Sequence, residues 1–371
     1  MTDSIISVVP IAVVAFTVAL VTVFLIIPRI RDFALRIGAV QDGGGLHGSG
    51  TRVHTGRVPN IGGLGILAGF LLAVLVGSLA WPGLLDGYRV ELLAIVLGGC
   101  LMALVGFMDD MWEIPPAMRL ATQFVAAGIL VVNGVRIEFI NNYLTGQGYV
   151  FVPELLAVGV TLLWVVGFTN AFNFIDGLDG LSSGIAAISS MCLLAVALQF
   201  GDRGASVLLL AAIAGAALGF LRHNLNPAKI TMGDSGAYMI GYVLAAVSVL
   251  GALKVTAAVT VAAPILVLAL PVLNITQVTF RRLRRGVSPT TASNDHIHDI
   301  LRVRSGSKGL TVLLLWLATL VLGVLGMLLS RTPPLLMYTT ITTTVVLIAA
   351  VSLLRWLEVR SEERGTAAGR L

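Results

Sequence analysis

Long apolar runs, broken by short polar clusters, make up most of this chain. Runs of spanning length fall at about 5–27, 61–80, 92–108, 117–133, 154–170, 181–200, 205–221, 237–252, 257–276, 310–330 and 335–355. About 20 apolar residues carry an α-helix across a bilayer. The pattern therefore predicts an all-α integral membrane protein of about eleven transmembrane helices. The polar clusters between them include VQDGGGLHGSGTRVHTGRVPN, GFMDDMWEIPP, NFIDGLDG, RHNLNPAKITMGDSGAY and RRLRRGVSPTTASNDHIHDILRVRSGSK. One connection, 134–153, carries NGVRIEF and GYVFVP and predicts a small hairpin.

Composition supports the membrane reading. Of 371 residues 57% are hydrophobic and 12% charged, with a mean hydropathy of +0.95. Soluble domains carry roughly twice that share of charge. The first apolar run has no basic segment before it and reads as a true span rather than a cleavable signal. Cys100 and Cys192 both lie in apolar segments, where they act as small hydrophobes and no disulfide is expected. Residues 1–355 are expected to form one polytopic domain, with 356–371 a polar cytoplasmic tail.

Charge then sets an expected orientation. Eleven spans put the two ends on opposite sides. Alternate loops collect nineteen of the 24 Lys and Arg residues, leaving Arg89, Arg136, Arg203, Lys254 and Arg331 on the other side. By the positive-inside rule the rich side is cytoplasmic, so the N-terminus is outside, the C-terminus inside and the 134–153 hairpin extracytoplasmic. The net charge of +5 is mostly this topological signal, and nucleic acid need not be invoked. All five histidines and the polar clusters fall on the same side, so any chemistry is expected in the cytoplasm.

Four constellations carry candidate chemistry. In GFMDD, Asp109 and Asp110 follow an apolar run and precede Pro115 and Pro116. Adjacent helical residues point about 100° apart, so the two carboxylates are expected to do separate jobs; the plain alternative is a helix cap. In NAFNFIDGLDGL, Asn170, Asn173, Asp176 and Asp179 recur every three residues. Oxygen donors at that spacing suit a hard cation such as Mg²⁺, which keeps waters and takes few carboxylates plus substrate phosphates. A polar turn explains the glycines but not both asparagines. In KITMGDSGAY, Gly233 and Gly236 flank Asp234 in what is either a tight loop turn or an exposed ligand.

The fourth constellation is basic. Arg281, Arg282, Arg284 and Arg285 either obey the positive-inside rule or meet an anion. His296 and His298, between Asp295 and Asp299, favour diphosphate contact over zinc, because no further His or Cys stands at zinc spacing. Arg52, His54 and Arg57 form a further patch, and Lys229 lies close before Asp234. Acids, Mg²⁺, a basic rim and a membrane boundary together suggest phosphoryl chemistry between a soluble anionic donor and a lipid-borne acceptor.

These motifs resemble those of the polyprenyl-phosphate N-acetylhexosamine-1-phosphate transferases. GFMDD is similar to the family's Asp-Asp motif, NAFNFIDGLDGL to its Asn-Asp signature and NPAKITMGDSG to its Gly-Asp loop. DHIHDIL is similar to its His-rich loop and RVHTGRVPNIGG to its first cytoplasmic loop, so the resemblance runs from about 52 to 308 in consistent order. It implies ten or eleven transmembrane helices, often as a homodimer, in the inner or plasma membrane.

By that resemblance Asp109 activates the lipid phosphate and Asp110 supports metal or substrate. Asn173 and Asp234 take Mg²⁺ (Mn²⁺ as an alternative), with Asp176 and Asp179 in the nucleotide and metal shell. Asn170, His54, Arg52, Lys229, Arg282, His296, His298 and Asp299 are further candidates for substrate contact. The chain departs from the family pattern at Asp299, where a further His is common, and at Thr231, where an aromatic residue is common.

HIHD resembles the branch that uses UDP-GlcNAc rather than the contiguous-His branch that uses UDP-MurNAc-pentapeptide. The implied reaction gives polyprenyl diphosphate-GlcNAc and UMP, starting a cell-wall or surface polysaccharide. Another UDP-HexNAc donor is the nearest alternative. A reading of different class is a cation-coupled transporter of an anionic metabolite, for which intramembrane carboxylates also serve. The concentration of acids at one boundary and the lack of any internal repeat weigh against it.

Overall fold

A computed structural model describes residues 2–41, 58–141, 149–200, 202–252, 262–284, 286 and 296–368. The order is α1 (Thr2–Ile37), β1 (Val40–Gln41), β2 (Val58–Pro59), α2 (Gly63–Ala80), α3 (Arg89–Trp112), α4 (Pro116–Val132), β3 (Phe139–Asn141), β4 (Tyr149–Phe151), α5 (Glu154–Ile175) and α6 (Leu181–Leu198). It continues with α7 (Gly204–Asn224), α8 (Gly233–Ala252), α9 (Ala262–Val267), α10 (Ala269–Arg284), α11 (Ile297–Ser305), α12 (Lys308–Leu329) and α13 (Pro334–Ala368).

Among the described residues nine helices are long and apolar enough to cross a membrane. The other two expected spans are present in altered form. Residues 117–133 correspond to α4, an apolar helix of 17 residues. The run at 257–276 is broken into α9 and α10, with its start at 257–261 outside the described residues. Pro271 has no N–H to give the carbonyl four residues back, which is Val267, and the helix is interrupted at that point. The 134–153 hairpin is present as β3 paired antiparallel with β4, Phe139 opposite Phe151 and Asn141 opposite Tyr149. The last helix runs on to Ala368, so residues 356–368 prolong α13.

The core lies where side chains are smallest. Every residue of α7 from Gly204 to Leu221 is buried, and α6 and α8 are nearly so, whereas α13 turns most of its apolar surface outward. A Cβ on Gly215 would lie 2.1 Å from the Phe16 carbonyl oxygen and one on Gly219 2.6 Å from that of Leu20. The bare α7 backbone therefore packs directly on α1, the small-residue route to tight helix pairs in lipid. Leu79, Val132 and Leu155 are more than 70% exposed, which suits contact with acyl chains and not with water. Among the described residues, the end of α3 meets the start of α8, and the α5–α6 turn meets the 225–232 loop and His298.

Candidate functional site

The site begins where α3 stops. Glu113 takes a left-handed conformation (φ 48) and donates its N–H to the Asp109 carbonyl, and Pro115 and Pro116 start α4 immediately. The Asp109 side chain closes this corner. Its Oδ1 accepts the Ile114 N–H at 2.9 Å and its Oδ2 an Arg119 guanidinium N–H at 2.7 Å. Asp109 is buried, and Arg119 is partly so.

Asp110 points elsewhere. It accepts N–H bonds from Asp234 at 2.9 Å and Ser235 at 3.1 Å, and from the Asn60 side-chain amide at 2.7 Å. The first turn of a helix has orphan N–H groups and a partial positive charge. Asp110 is thus the cap of α8, supplied by another helix. Asn60 is held in turn by the Thr231 hydroxyl at 2.6 Å. Thr231, where the resemblance implied an aromatic residue, is buried and spends its hydroxyl on the 59–60 segment.

Two glycines make this approach feasible. Gly233 has φ +73, and a Cβ there would lie 2.5 Å from the Asp110 carboxylate. A Cβ on Gly106 would lie 2.4 Å from the Asp234 backbone. With both bare, the Asp234 carboxyl comes within hydrogen-bonding reach of the Asp109 carboxyl. Asn173 donates to Asp234 Oδ1 at 2.7 Å. Asp109, Asp234, Asn173 and Arg119 therefore share one small volume at the end of an apolar span.

The other residues of the Asn-Asp ladder fan out: Asn170 lies within α5, one turn before Asn173, and Asp176 and Asp179 lie past the end of α5 at Ile175. Asn170 forms an amide pair with Gln123 of α4, at 2.6 and 3.3 Å. Asp176 accepts the Ser182 hydroxyl at 2.6 Å, and Asp179 accepts the Ala228 N–H at 3.2 Å. Asn224 accepts the Gly180 N–H at 3.0 Å and donates to the Ile230 carbonyl at 3.1 Å. The α5–α6 turn and the 225–232 loop are thereby stitched together.

The histidines reach the same turn. A Cβ on Gly177 would lie 2.2 Å from His298 Nε2, and His298 stacks parallel on His296 with ring centroids 5.3 Å apart. His296 lies against Phe174 and beside the Asn274 amide, at 3.3 Å. Asp299 is buried, 3.7 Å from both Arg302 and His298 Nε2. Arg282 is buried in the last turn of α10. Lys229 is held by Glu358 at 2.6 Å and Glu362 at 3.0 Å, away from the carboxylate pair. Arg52 and His54 lie outside the described residues.

Among the described residues no three His, Cys, Asp or Glu side chains form a ready metal cage. The Asp109–Asp234 pair with the Asn173 amide nonetheless fits Mg²⁺, which takes one or two carboxylates and leaves its remaining positions to water and phosphate. Two carboxyl groups in contact need a shared proton or a cation.

A family model for glycosyl transferase family 4 matches residues 92–252, the segment that holds Asp109, Asp110, Asn173, Asp176, Asp179 and Asp234. A Bacillus subtilis protein named probable undecaprenyl-phosphate N-acetylglucosaminyl 1-phosphate transferase is 32% identical over 82% of this chain and 81% of its own length. The chain belongs to the polyprenyl-phosphate N-acetylhexosamine-1-phosphate transferases. The Mycolicibacterium smegmatis protein named decaprenyl-phosphate N-acetylglucosaminephosphotransferase is 33% identical over 82% of this chain and 79% of its own. The Salmonella typhi protein named undecaprenyl-phosphate alpha-N-acetylglucosaminyl 1-phosphate transferase is 27% identical over 82% and 79%. This chain is accordingly a multi-pass membrane transferase.

For this transferase, sequence reasoning passed over Asn60, Arg119, Gln123, Asn224 and Asn274. Arg119 could have been found, since it stands one turn into a helix that begins at the Asp-Asp corner. Asn60 and Asn224 stand in polar clusters where no one amide is singled out, and Gln123 and Asn274 are amides within apolar runs.

Burial pushes the His298 imidazole down to about 4, assisted by the Arg302 charge. At neutral pH it is uncharged, and its 3.7 Å approach to Asp299 is no ion pair. Between about 4 and the ordinary 6.5 the unfolded chain binds a proton that the folded one refuses. This contribution to stability is therefore complete above 6.5 and is lost as pH falls toward 4. Thermal unfolding of the detergent-extracted protein should show wild type losing more between pH 6.5 and 4.5 than His298→Gln. Parallel loss in both would place the titration elsewhere.

Proposed function

We propose that this transferase moves N-acetylglucosamine 1-phosphate from UDP-GlcNAc to a polyprenyl phosphate on the cytoplasmic side of the cell membrane. In the step, an oxygen of the lipid phosphate bonds to the β-phosphorus of the donor. The bond from that phosphorus to the bridging oxygen breaks, and UMP leaves with the bridging oxygen. The observation that carries this reading is the Asp109–Asp234 carboxyl pair, flanked by Arg119 and Asn173, at the boundary of an apolar helix. The names of the relatives support a polyprenyl phosphate acceptor and an N-acetylglucosamine phosphate donor.

Asp234 and Asn173, with Asp176 nearby in the chain, would hold Mg²⁺, which when bound neutralises the diphosphate and polarises the transferring group. Asp109, braced by Arg119, orients the acceptor phosphate as it arrives from the bilayer. Asp110 fixes the start of α8 and so aims Asp234. His296 and His298, packed on the α5–α6 turn, contribute hydrogen bonds to the diphosphate or sugar. The product would begin a cell-wall or surface polysaccharide.

The purified protein, given polyprenyl phosphate and UDP-GlcNAc, should release UMP when Mg²⁺ is present and none when it is chelated. Turnover that persists in full under chelation would remove the metal from the account. UDP-GalNAc or UDP-MurNAc-pentapeptide used better than UDP-GlcNAc would reassign the donor.

A further inference from the structure

Lys229 stands five residues before Asp234 and is a natural candidate for a phosphate-binding lysine, yet its ammonium is directed to α13. Glu358 accepts from Lys229 Nζ at 2.6 Å, from Arg355 at 3.0 Å and from Arg222. Glu362, one turn further on, accepts from Lys229 at 3.0 Å. Arg355, only 4% exposed, also donates to the Pro227 carbonyl oxygen. Isolated exposed ion pairs are worth little. A carboxylate shared by three cations, one of them buried, is a network and behaves otherwise.

What this network grips is the 225–232 loop. On its far side the loop donates the Ala228 N–H to Asp179, and Asn224 at its root bonds the α5–α6 turn. Its downstream end is Met232, the residue before Gly233 and Asp234. The loop is thus held between the end of α13 and the turn that carries Asp176 and Asp179. Residues 355–362 lie beyond the segment that the family model matches.

We propose that the end of α13 is a positioning element of the donor site, with Glu358 clasping Lys229 and Arg222 and Arg355 holding Pro227, so that the 225–232 loop presents Asp179. Lys229 here is a tether and not a substrate ligand. The inference rests on the reading that the α5–α6 turn meets the sugar nucleotide.

Two measurements on the full-length protein test it separately. In Glu358→Gln, amide exchange across 225–232 should accelerate about tenfold while exchange in α6 stays as in wild type. Donor KM should rise about tenfold, with acceptor KM within twofold, a size usual for coupled residues of one charge network. Adding Lys229→Met to Glu358→Gln should raise donor KM little further, because the tether is already cut. Should Glu358→Gln not accumulate in membranes, Glu358→Asp, which keeps the charge and shortens the reach, serves both measurements. Unchanged exchange overturns the clasp. A further tenfold or greater rise on adding Lys229→Met makes Lys229 a donor ligand and overturns the tether. Faster exchange with wild-type donor KM shows the clasp to be real and the donor reading of the turn to be wrong.

Discussion

Asp234→Ala should lower turnover about a thousandfold or more while leaving a protein that folds and can be extracted. The backbone N–H of Asp234 is taken by Asp110, and its side chain meets Asn173 and Asp109. Alanine keeps the N–H, so the start of α8 should survive. The carboxylate that would hold the metal is lost, and the diphosphate then keeps its charge during transfer. Metal stabilisation of that charge is worth several kcal/mol, which converts to about a thousandfold or more in rate. Steady-state UMP release across a Mg²⁺ titration measures it. Wild-type turnover by the variant at limiting Mg²⁺ would remove Asp234 from the metal site.

Asp109→Asn should lower kcat by about 10²–10⁴-fold, the range usual for a proton-transfer or orienting carboxylate. Donor KM should move little, since the contacts to the α5–α6 turn remain. Each Asp109 oxygen already accepts one N–H, from Ile114 and from Arg119. A lipid phosphomonoester has its second pKa near ~6 and is largely ionised at neutral pH. Both facts favour an orienting role over proton abstraction. The pH–rate profile separates the two: recovery of Asp109→Asn at high pH indicates a base, and a deficit constant across pH indicates positioning. Arg119→Gln should lose part of the same activity, because it releases one oxygen of Asp109.

The apolar pattern made the bundle legible, since in lipid the length and hydrophobicity of a segment nearly determine its conformation. Among the described residues nine of the eleven expected spans are helices long and apolar enough to cross a membrane, α4 is shorter, and the 257–276 run is interrupted between Val267 and Ala269, next to Pro271. The carboxylates were legible too, because an acid at a membrane boundary stands out in so apolar a chain. Their mutual geometry was not. The three-residue ladder suggested that Asn170, Asn173, Asp176 and Asp179 converge, but Asn170 and Asn173 meet different helices from within α5, and Asp176 and Asp179 lie past its end at Ile175 with partners of their own.

Asp110 shows the same limit. Adjacency to Asp109 suggested separate roles, but only the fold reveals that its partner is the start of a helix 124 residues on. Lys229 was a candidate for substrate contact, and the partners it has in the structure come from a helix 129 and 133 residues away. Pairings across such distances leave no local trace in a single sequence.

Transfer of the sugar together with its phosphate is read out by a doubly labelled donor. UDP-GlcNAc carrying ³H in the sugar and ³²P in the β-phosphate would be incubated with the purified protein, polyprenyl phosphate and Mg²⁺. Both labels should enter the lipid product in their starting ratio, with the released nucleotide unlabelled UMP. Tritium alone in the lipid, with ³²P left in UDP, would mean simple glycosyl transfer and would contradict it, as would both labels accumulating intact inside vesicles with no labelled lipid.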